Sequence, residues 1–164
     1  MPKQINRILK TAVGKKCWYV IAGGVTFPNF TLDLGKKIKR EIPIRNSALS
    51  KQARDYEGEI SFFVRCAWRL EHGQFVIASS DDEDADGSKW LENIVGKVLV
   101  RARAEPPAWD LELTFSDGWR LKIFCDHTDN KPEFRKNWHF GIQNKKINAG
   151  PGTKLEFVEP TLIP

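Results

Sequence analysis

Apolar and polar residues alternate along much of the chain, which is the pattern of strands with one buried face. The clearest run is 109–125, which continues on both sides of a Ser-Asp-Gly turn. A three-residue loop with Gly118 in the left-handed conformation keeps the two apolar faces in phase, whereas a two-residue loop would mix them. The predicted pairs are Leu111 with Ile123, Leu113 with Leu121, and Glu112 with Lys122.

A second alternating run covers residues 60–70 and ends at a tight turn. Its apolar positions are Ile60, Phe62, Val64, Cys66, Trp68 and Leu70. A two-residue turn at His72-Gly73 would place Leu70 opposite Phe75 and Trp68 opposite Ile77. Together the two runs predict mostly antiparallel sheet.

Two stretches with helical spacing occupy corresponding places in the two halves of the chain. Their apolar positions are Ile8, Leu9, Ala12 and Val13, and Trp90, Leu91, Ile94 and Val95. Each stretch leads into Val-Gly-Lys and then a strand-like run, so that Gly14 and Gly96 stand where a helix end requires positive φ. Further along, Trp68 and Trp138 precede Ile77 and Ile147 by the same step.

Matches in the same order along the chain indicate an internal duplication with a unit of about 80 residues. The predicted fold class is α+β, mostly antiparallel β, with two tandem repeat halves, short helices and a pseudo-twofold axis. Residues 1–80 form the first repeat, with an insertion at 45–54. Residues 81–88 form an acidic connector and 89–164 the second repeat, and both repeats share one core. The alternative to duplication is that similar strand–Pro–strand patterns occur by chance in any β-rich protein.

Charge is distributed unevenly over the chain, whose net charge is +5. The segment 1–80 holds 14 Lys or Arg and 6 Asp or Glu, and the segment 81–100 holds 2 and 6. Such a field bears on partners rather than on fold. The candidate partner-binding residues are therefore basic: Lys36, Lys37, Lys39, Arg40, Arg45, Lys51 and Arg54. The alternative for the run 36–40 is a solvated edge strand guarded by lysines.

Candidate metal and catalytic motifs are incomplete. Asp82-x-Asp84-x-Asp86-Gly87 resembles the first half of a calcium loop, but Lys89 and Asn93 occupy the eighth and twelfth positions. We therefore expect a solvated acidic connector and no calcium requirement. The histidines and cysteines lack zinc-ligand spacing, and no nucleophile elbow, P-loop or dinucleotide turn is present. The sequence predicts no metal, no cofactor and no enzymatic activity.

Three cysteines, an odd number without CxxC spacing, predict reduced and buried thiols. A disulfide pair with one cysteine left over is the alternative. The N-terminus is polar and carries no secretory signal, and no apolar run is long enough to cross a membrane. These features favour a cytoplasmic protein without a membrane partner.

Part of the second half resembles a family of small uncharacterised bacterial domains. The residues that carry this resemblance are 109–118, Asn137-Trp138 and Gly150-Pro151-Gly152, within 95–155. Some proteins of this kind resemble immunity proteins of bacterial toxin–antitoxin systems. The resemblance implies a β-rich fold and transfers no catalytic residue. The net charge of +5 departs from the acidic balance of proteins that block nuclease toxins, which argues against a nuclease partner.

The leading functional hypothesis is a non-enzymatic protein-binding protein, an immunity-type protein that neutralises a bacterial toxin domain by direct binding. The alternative is a nucleic-acid-binding module that uses the basic first half, for which binding would weaken steeply with salt. A small hydrolase that uses carboxylates of the acidic connector is a third class.

Overall fold

The computed structural model describes residues 1–22, 28–82, 86–132, 135–142 and 145–158, with the backbone alone for 86–88. Within these ranges the α-helices are α1 (Pro2–Leu9), α2 (Lys51–Asp55) and α3 (Asp86–Leu91). The first strands are β1 (Cys17–Ala22), β2 (Phe30–Lys39), β3 (Tyr56–Val64), β4 (Ala67–His72) and β5 (Phe75–Ser79). The later strands are β6 (Leu99–Glu105), β7 (Asp110–Phe115), β8 (Trp119–Phe124), β9 (Trp138–Ile142), β10 (Lys145–Ala149) and β11 (Leu155–Val158).

The strands form two sheets, and all their named pairings are antiparallel. Sheet one has the order β1-β2-β3-β9-β10-β11, and sheet two has the order β5-β4-β8-β7-β6. The predicted α+β class with mostly antiparallel strands is confirmed. No helix in the described part of the chain is long and apolar enough to span a membrane.

One hydrophobic core contains side chains from both sheets and from the helices. Its largest fully buried side chains include Trp68 of sheet two and Trp138 of sheet one. Both indoles donate a hydrogen bond from Nε1, Trp68 to the carbonyl of Pro28 and Trp138 to that of Trp109, each over 2.8 Å. Each buried indole therefore has a polar partner as well as a packing role.

The β7–β8 hairpin has the predicted register. Its pairs are Leu111 with Ile123, Leu113 with Leu121, and Glu112 with Lys122. Gly118 adopts φ +78°, as a three-residue loop requires, and Asp117 also has positive φ, at 59°. The prediction is confirmed because only this loop length keeps both apolar faces toward the core.

The predicted register of the β4–β5 hairpin is wrong. The turn consists of Gly73 and Gln74, so His72 pairs with Phe75, and an irregularity after Leu70 pairs that residue with Ala78. Gly73 has φ +59°, which supplies the left-handed position at the first turn residue. The pattern misleads because Phe75 is an exposed apolar side chain on an edge strand, with 74% of its surface accessible.

The alternating run 60–70 is not one strand. β3 ends at Val64 in sheet one, and β4 begins at Ala67 in sheet two. Burial continues through this change of sheet because both sheets contribute to the same core. Conversely β9, which follows β8 in the chain, returns to sheet one and pairs with β3. Each sheet thus combines strands from residues 1–80 with strands from 89–164.

The starts of β1 and β6 meet at four backbone hydrogen bonds around two glycines with φ +86°. Gly14 N–H donates to Leu99 O, and Gly96 N–H donates to Cys17 O, both over 2.7 Å. Cys17 N–H donates to Lys97 O over 2.8 Å, and Leu99 N–H donates to Lys15 O over 2.9 Å. Each bond therefore has a counterpart at the same places in the segments 14–17 and 96–99, with the donor segment and the acceptor segment exchanged.

The predicted helical faces are correct only in part. Leu9, Ala12, Leu91 and Ile94 are buried as predicted and Ile8 is half-buried, but Val13 and Val95 are exposed. Each helix tightens into a single 3₁₀ turn, Lys10–Ala12 or Glu92–Ile94, and the next residue is already extended. The tighter turn and the extended residue take both valines off the helical face that the spacing predicts. Trp90 is also exposed.

Candidate functional site

The basic run predicted to bind a partner lies where β2 extends beyond its pairing with β1. The last β1–β2 pair is Cys17 with Leu34, whereas β2 remains paired with β3 as far as Lys39 and Tyr56. Lys36, Lys37 and Lys39 are therefore exposed beside an open strand edge. The Lys37 ammonium lies 5.0 Å from the centroid of the Trp18 ring, a cation–π distance.

The connection from β2 to β3 contains the predicted insertion and is anchored to sheet one. Arg40 N–H donates to Asp55 O over 2.8 Å, and Ile44 N–H donates to Arg54 O over 3.0 Å. Ser50 caps α2 by accepting from the Ala53 N–H, and its hydroxyl also contacts the Tyr19 hydroxyl over 2.9 Å. We call residues 36–54 the basic arm.

The seven candidate residues differ in exposure. Those exposed to solvent are Lys36, Lys37, Lys39, Arg45 and Lys51. Arg40 and Arg54 are half-buried, and in the described part of the chain the Nε of each has no hydrogen-bond partner. Arg40 also binds the Glu57 carboxylate over 2.8 Å. These two arginines are integrated into the fold, and the other five offer charge to a partner.

Apolar side chains accompany these charges on the basic arm. Ile42 has 79% of its surface exposed, and Ile38 is exposed as well. Tyr56, which follows the arm at the start of β3, also reaches solvent. Ile42 follows the exposed Glu41 and lies in a segment with several exposed cations, a combination that resembles the apolar anchor and polar rim of a protein interface.

A buried carboxylate lies beneath the arm on the outer face of sheet one. Asp33 pairs with Tyr19 and with Ser61 in the ladder, and its Oδ1 accepts the Gly58 N–H over 3.1 Å. Burial raises the pKa of Asp33 to about 6, although the Gly58 hydrogen bond and the charge of Arg40 oppose this rise. The strand pattern predicts only a polar outward residue here.

Two half-buried aromatic rings lie further along that outer face. Phe63 of β3 lies directly across the ladder from His139 of β9. Their rings are 5.8 Å apart between centroids and inclined by 4°. The Arg65 guanidinium lies 4.7 Å from the Phe63 ring centroid. A groove of about 400 Å³ runs beside these three side chains, and its other lining residues are Ser61, Gly141, Lys145 and Lys146.

A hydrogen-bond chain fixes His139. Its Nδ1 contacts Asn148 Oδ1, and Asn148 Nδ2 donates to Glu156 Oε2 over 2.8 Å. Lys136 completes the chain by an ion pair with Glu156 over 3.3 Å. Burial lowers the pKa of His139 to about 4, so the ring is neutral at pH 7. Because the amide oxygen only accepts, Nδ1 carries the proton and Nε2 presents a lone pair.

The sequence pattern that indicates this groove consists of the alternate residues along β3 that face away from the core. Ile60, Phe62 and Val64 mark the buried face, and the intervening residues Ser61, Phe63 and Arg65 form the outer one. The pattern that indicates a binding surface is an aromatic residue, Phe63, followed two positions later by a cation, Arg65, on the outward side. Its partner His139 is recognisable only once the β3–β9 pairing is known.

The three cysteines are free, and two of them are neighbours in space. The last β4–β8 ladder pair is Ala67 with Phe124, and Cys66 and Cys125 lie next to it, just before β4 begins and just after β8 ends. A hydrogen bond between the thiols and burial raise the pKa of Cys66 above its usual range. Burial likewise raises the pKa of Cys17 to about 12. The thiols of Cys17 and Cys66 are therefore poor nucleophiles.

Among the described residues, no group of three His, Cys, Asp or Glu side chains is arranged to hold a metal ion. Asp84, which the incomplete calcium motif requires, lies outside the described residues. The chain was also compared with known proteins: no family model, no curated protein and no solved structure matches it.

Proposed function

We propose that the chain is a non-enzymatic binding protein that captures an acidic protein through its basic arm. In the fuller form of the proposal it is a cytoplasmic bacterial protein of immunity type, and the partner is a toxin domain. The observation that carries the proposal is the exposure of Ile42 among cations that form no ion pair with any residue in the described ranges.

The charge of the arm exceeds what protection of a strand edge requires. Lys36, Lys37 and Lys39 flank the open edge of β2, where lysines discourage strand pairing between molecules. Arg45 and Lys51 lie outside any strand, and yet they are exposed cations as well. Such residues speed the encounter with an acidic partner, while an apolar anchor such as Ile42 contributes affinity.

We also propose that the chain arose by internal duplication, with each unit comprising a helix, three strands and a hairpin. The paired hydrogen bonds around Gly14 and Gly96 support this interpretation, as do the two indole bonds of Trp68 and Trp138. The arm then belongs to the first unit alone. Added segments in one copy of a repeat commonly serve binding rather than folding.

The test combines capture with kinetics. The wild-type protein would be used to isolate its partner from the native host, and the association rate with the purified partner would then be measured at two salt concentrations. The triple variant Lys39→Glu, Arg45→Glu, Lys51→Glu should associate at least tenfold more slowly at low salt. The variant Lys3→Glu, Lys10→Glu, Lys131→Glu has the same net charge and alters exposed residues elsewhere, so it serves as the control.

Equal association rates for the two triple variants would place the interface away from the arm. Capture of nucleic acid alone would favour the alternative in which the basic first half binds nucleic acid if its affinity falls steeply with salt and is lost in the Lys39→Glu, Arg45→Glu, Lys51→Glu variant but kept in the control variant.

A further inference from the structure

We propose that the groove beside Phe63 and His139 on the outer face of sheet one binds single-stranded nucleic acid. Bases stack on the two rings, and lysines at the groove contact phosphates. This site is separate from the basic arm and does not depend on the function proposed for it.

The rings suit stacking because they belong to adjacent strands and are nearly parallel. The 4° inclination gives Phe63 and His139 a common orientation on the open sheet face. Proteins that bind single strands combine such aromatic platforms with a cationic groove, and every base offers a π-face to them. The Arg65 guanidinium lies over the Phe63 ring, 4.7 Å from its centroid, so it covers one face of that ring and offers its own planar surface for stacking.

The residues next to the rings are small enough to leave space above the sheet. Ser61 and Gly141 face each other across the β3–β9 ladder, on the same face as Phe63 and His139. A Cβ at Gly141 would lie only 3.2 Å from Ser61 Oγ and would narrow the floor of the groove. A base can therefore approach the backbone at this point.

His139 can also recognise a base by hydrogen bonding. With its Nδ1–H bound to Asn148, the neutral ring directs an acceptor, Nε2, away from the Asn148–Glu156 chain. The exocyclic amino groups of adenine and cytosine donate hydrogen bonds. A preference for bases with amino groups over thymine or uracil is the expected consequence.

Cations are present to contact the phosphates. Lys145 and Lys146 line the groove, are exposed, and form no ion pair with any described residue. In the β9–β10 ladder, Asn148 pairs with His139 and Lys146 pairs with Gly141. Lys146 therefore lies two residues along β10 from the residue opposite His139. That separation is about 7 Å in an antiparallel strand. Lys146 is thus close enough to bind the backbone of a strand whose base stacks on His139.

The experiment measures the binding of fluorescein-labelled 12-nucleotide oligo-dA, oligo-dC and oligo-dT by anisotropy at 50 and 200 mM salt, with a duplex of equal length. Phe63→Leu keeps an apolar side chain without a π-face and should raise Kd about tenfold at both salt concentrations. Lys145→Ala with Lys146→Ala should lower the salt slope by about 1.4, since each phosphate contact with a single strand contributes about 0.7. His139→Gln should reduce the preference for oligo-dA and oligo-dC over oligo-dT.

The matched control is Arg101→Ala, which removes an exposed cation from the outer face of sheet two. This variant should leave the single-strand Kd unchanged within twofold at 200 mM salt, where charges are screened over about 7 Å. Melting curves confirm that each variant is folded. The proposal is overturned if wild type shows no saturable single-strand binding at 50 mM salt, if the duplex binds as tightly, or if folded Phe63→Leu and His139→Gln both bind like wild type.

Discussion

The two sheets share one core but present very different outer faces. On sheet two, charged side chains lie opposite one another across four strands, in the rows Arg69–Lys122–Glu112–Arg103 and Glu71–Arg120–Thr114–Arg101. Glu71 is bound to three cations, with distances of 2.8 Å to Arg69, 3.0 Å to Arg120 and 3.6 Å to Lys122. On sheet one the corresponding area holds Phe63, His139 and two lysines without ionic partners among the described residues.

This contrast separates residues that maintain the fold from residues available for binding. Burial opposes ionisation of Glu71, but the Arg69 hydrogen bond and the charges of Lys122 and Arg120 outweigh it and lower the pKa of the carboxyl. Charges that satisfy one another leave little for a partner. The face that carries the two rings and Lys146, with Lys145 lining the same groove at the start of β10, has the capacity to bind, and mutations can test the difference.

The largest expected effect tests whether the sheet interiors are alike. Trp68→Ala and Trp138→Ala should each lower the free energy of unfolding by about 3–5 kcal/mol, because each removes a fully buried indole. Each substitution also removes one hydrogen bond to a carbonyl. Urea unfolding should give values for the two variants within about 1 kcal/mol of each other. A much larger difference would show that the two interiors are not equivalent.

The next effect concerns Asp33, the buried carboxylate of sheet one. Because its pKa is raised to about 6, the folded state binds this proton more tightly than the unfolded state does. Its contribution to stability is therefore greatest below pH 4 and is lost as pH rises to about 6. Asp33→Asn should stabilise the protein by about 1–3 kcal/mol at pH 7 and have little effect near pH 4. No stabilisation at pH 7 would contradict the assigned burial of charge.

His139 should have the opposite pH dependence. Its pKa is lowered from 6.5 to about 4, so stability is full above pH 6.5 and is lost as pH falls toward 4. Between pH 4 and 6.5 the stability of wild type should vary less with pH than that of either single variant, because the contributions of Asp33 and His139 oppose each other. Asp33→Asn should become less stable as pH falls, and His139→Gln should become more stable. Parallel profiles for the two variants would rule out this cancellation.

A smaller effect should distinguish the carboxylates of the two outer faces. Glu71→Gln should destabilise the protein by about 1–3 kcal/mol, since the Glu71 side chain is only 11% exposed and the change leaves three cations close together. Glu156→Gln on sheet one should cost less than about 0.5 kcal/mol because that side chain is 54% exposed. Denaturant midpoints measured at pH 7 test this ranking, and equal losses would refute it.

The smallest effect on stability is expected on the basic arm. Ile42→Ser should change the free energy of unfolding by less than about 0.5 kcal/mol, because the side chain is already in solvent. The same variant should weaken capture of the protein partner. A large loss of stability would mean that Ile42 supports the fold rather than an interface.

The elements that the sequence predicts well are those in which one alignment alone buries the apolar residues. The 116–118 turn is such a case, because any other loop would expose Leu113 or Leu121. The β4–β5 hairpin is not, because Phe75 is apolar and nevertheless faces solvent. The chain passes from sheet one to sheet two at Arg65 and Cys66 without interrupting the alternation of buried and outward residues. Hydrophobic periodicity therefore cannot reveal this change of sheet.

For the candidate sites, too, local sequence patterns predict only what neighbouring residues determine. The charged residues of the basic arm are visible as a local run, since Lys36 to Arg40 are consecutive apart from Ile38. Phe63 and His139 are distant in the sequence and meet only through the β3–β9 ladder. Asp33 likewise lies between Tyr19 of β1 and Ser61 of β3 and accepts the Gly58 N–H, and none of these neighbours is adjacent to it in the sequence. Burial and side-chain contacts that result from pairing between distant strands can be recognised only in the structure.

The exchange of hairpins between the sheets makes the two parts of the chain mutually dependent. A polypeptide ending after β5 would leave β3 with one bare edge and β4 without its neighbour β8. Cleavage within the acidic connector should therefore yield fragments that remain associated as a noncovalent heterodimer, held by the β3–β9 and β4–β8 ladders. Under the internal duplication proposed above, two molecules of the ancestral unit would satisfy the same edges by pairing with each other, and gene fusion would have converted a homodimer into one chain.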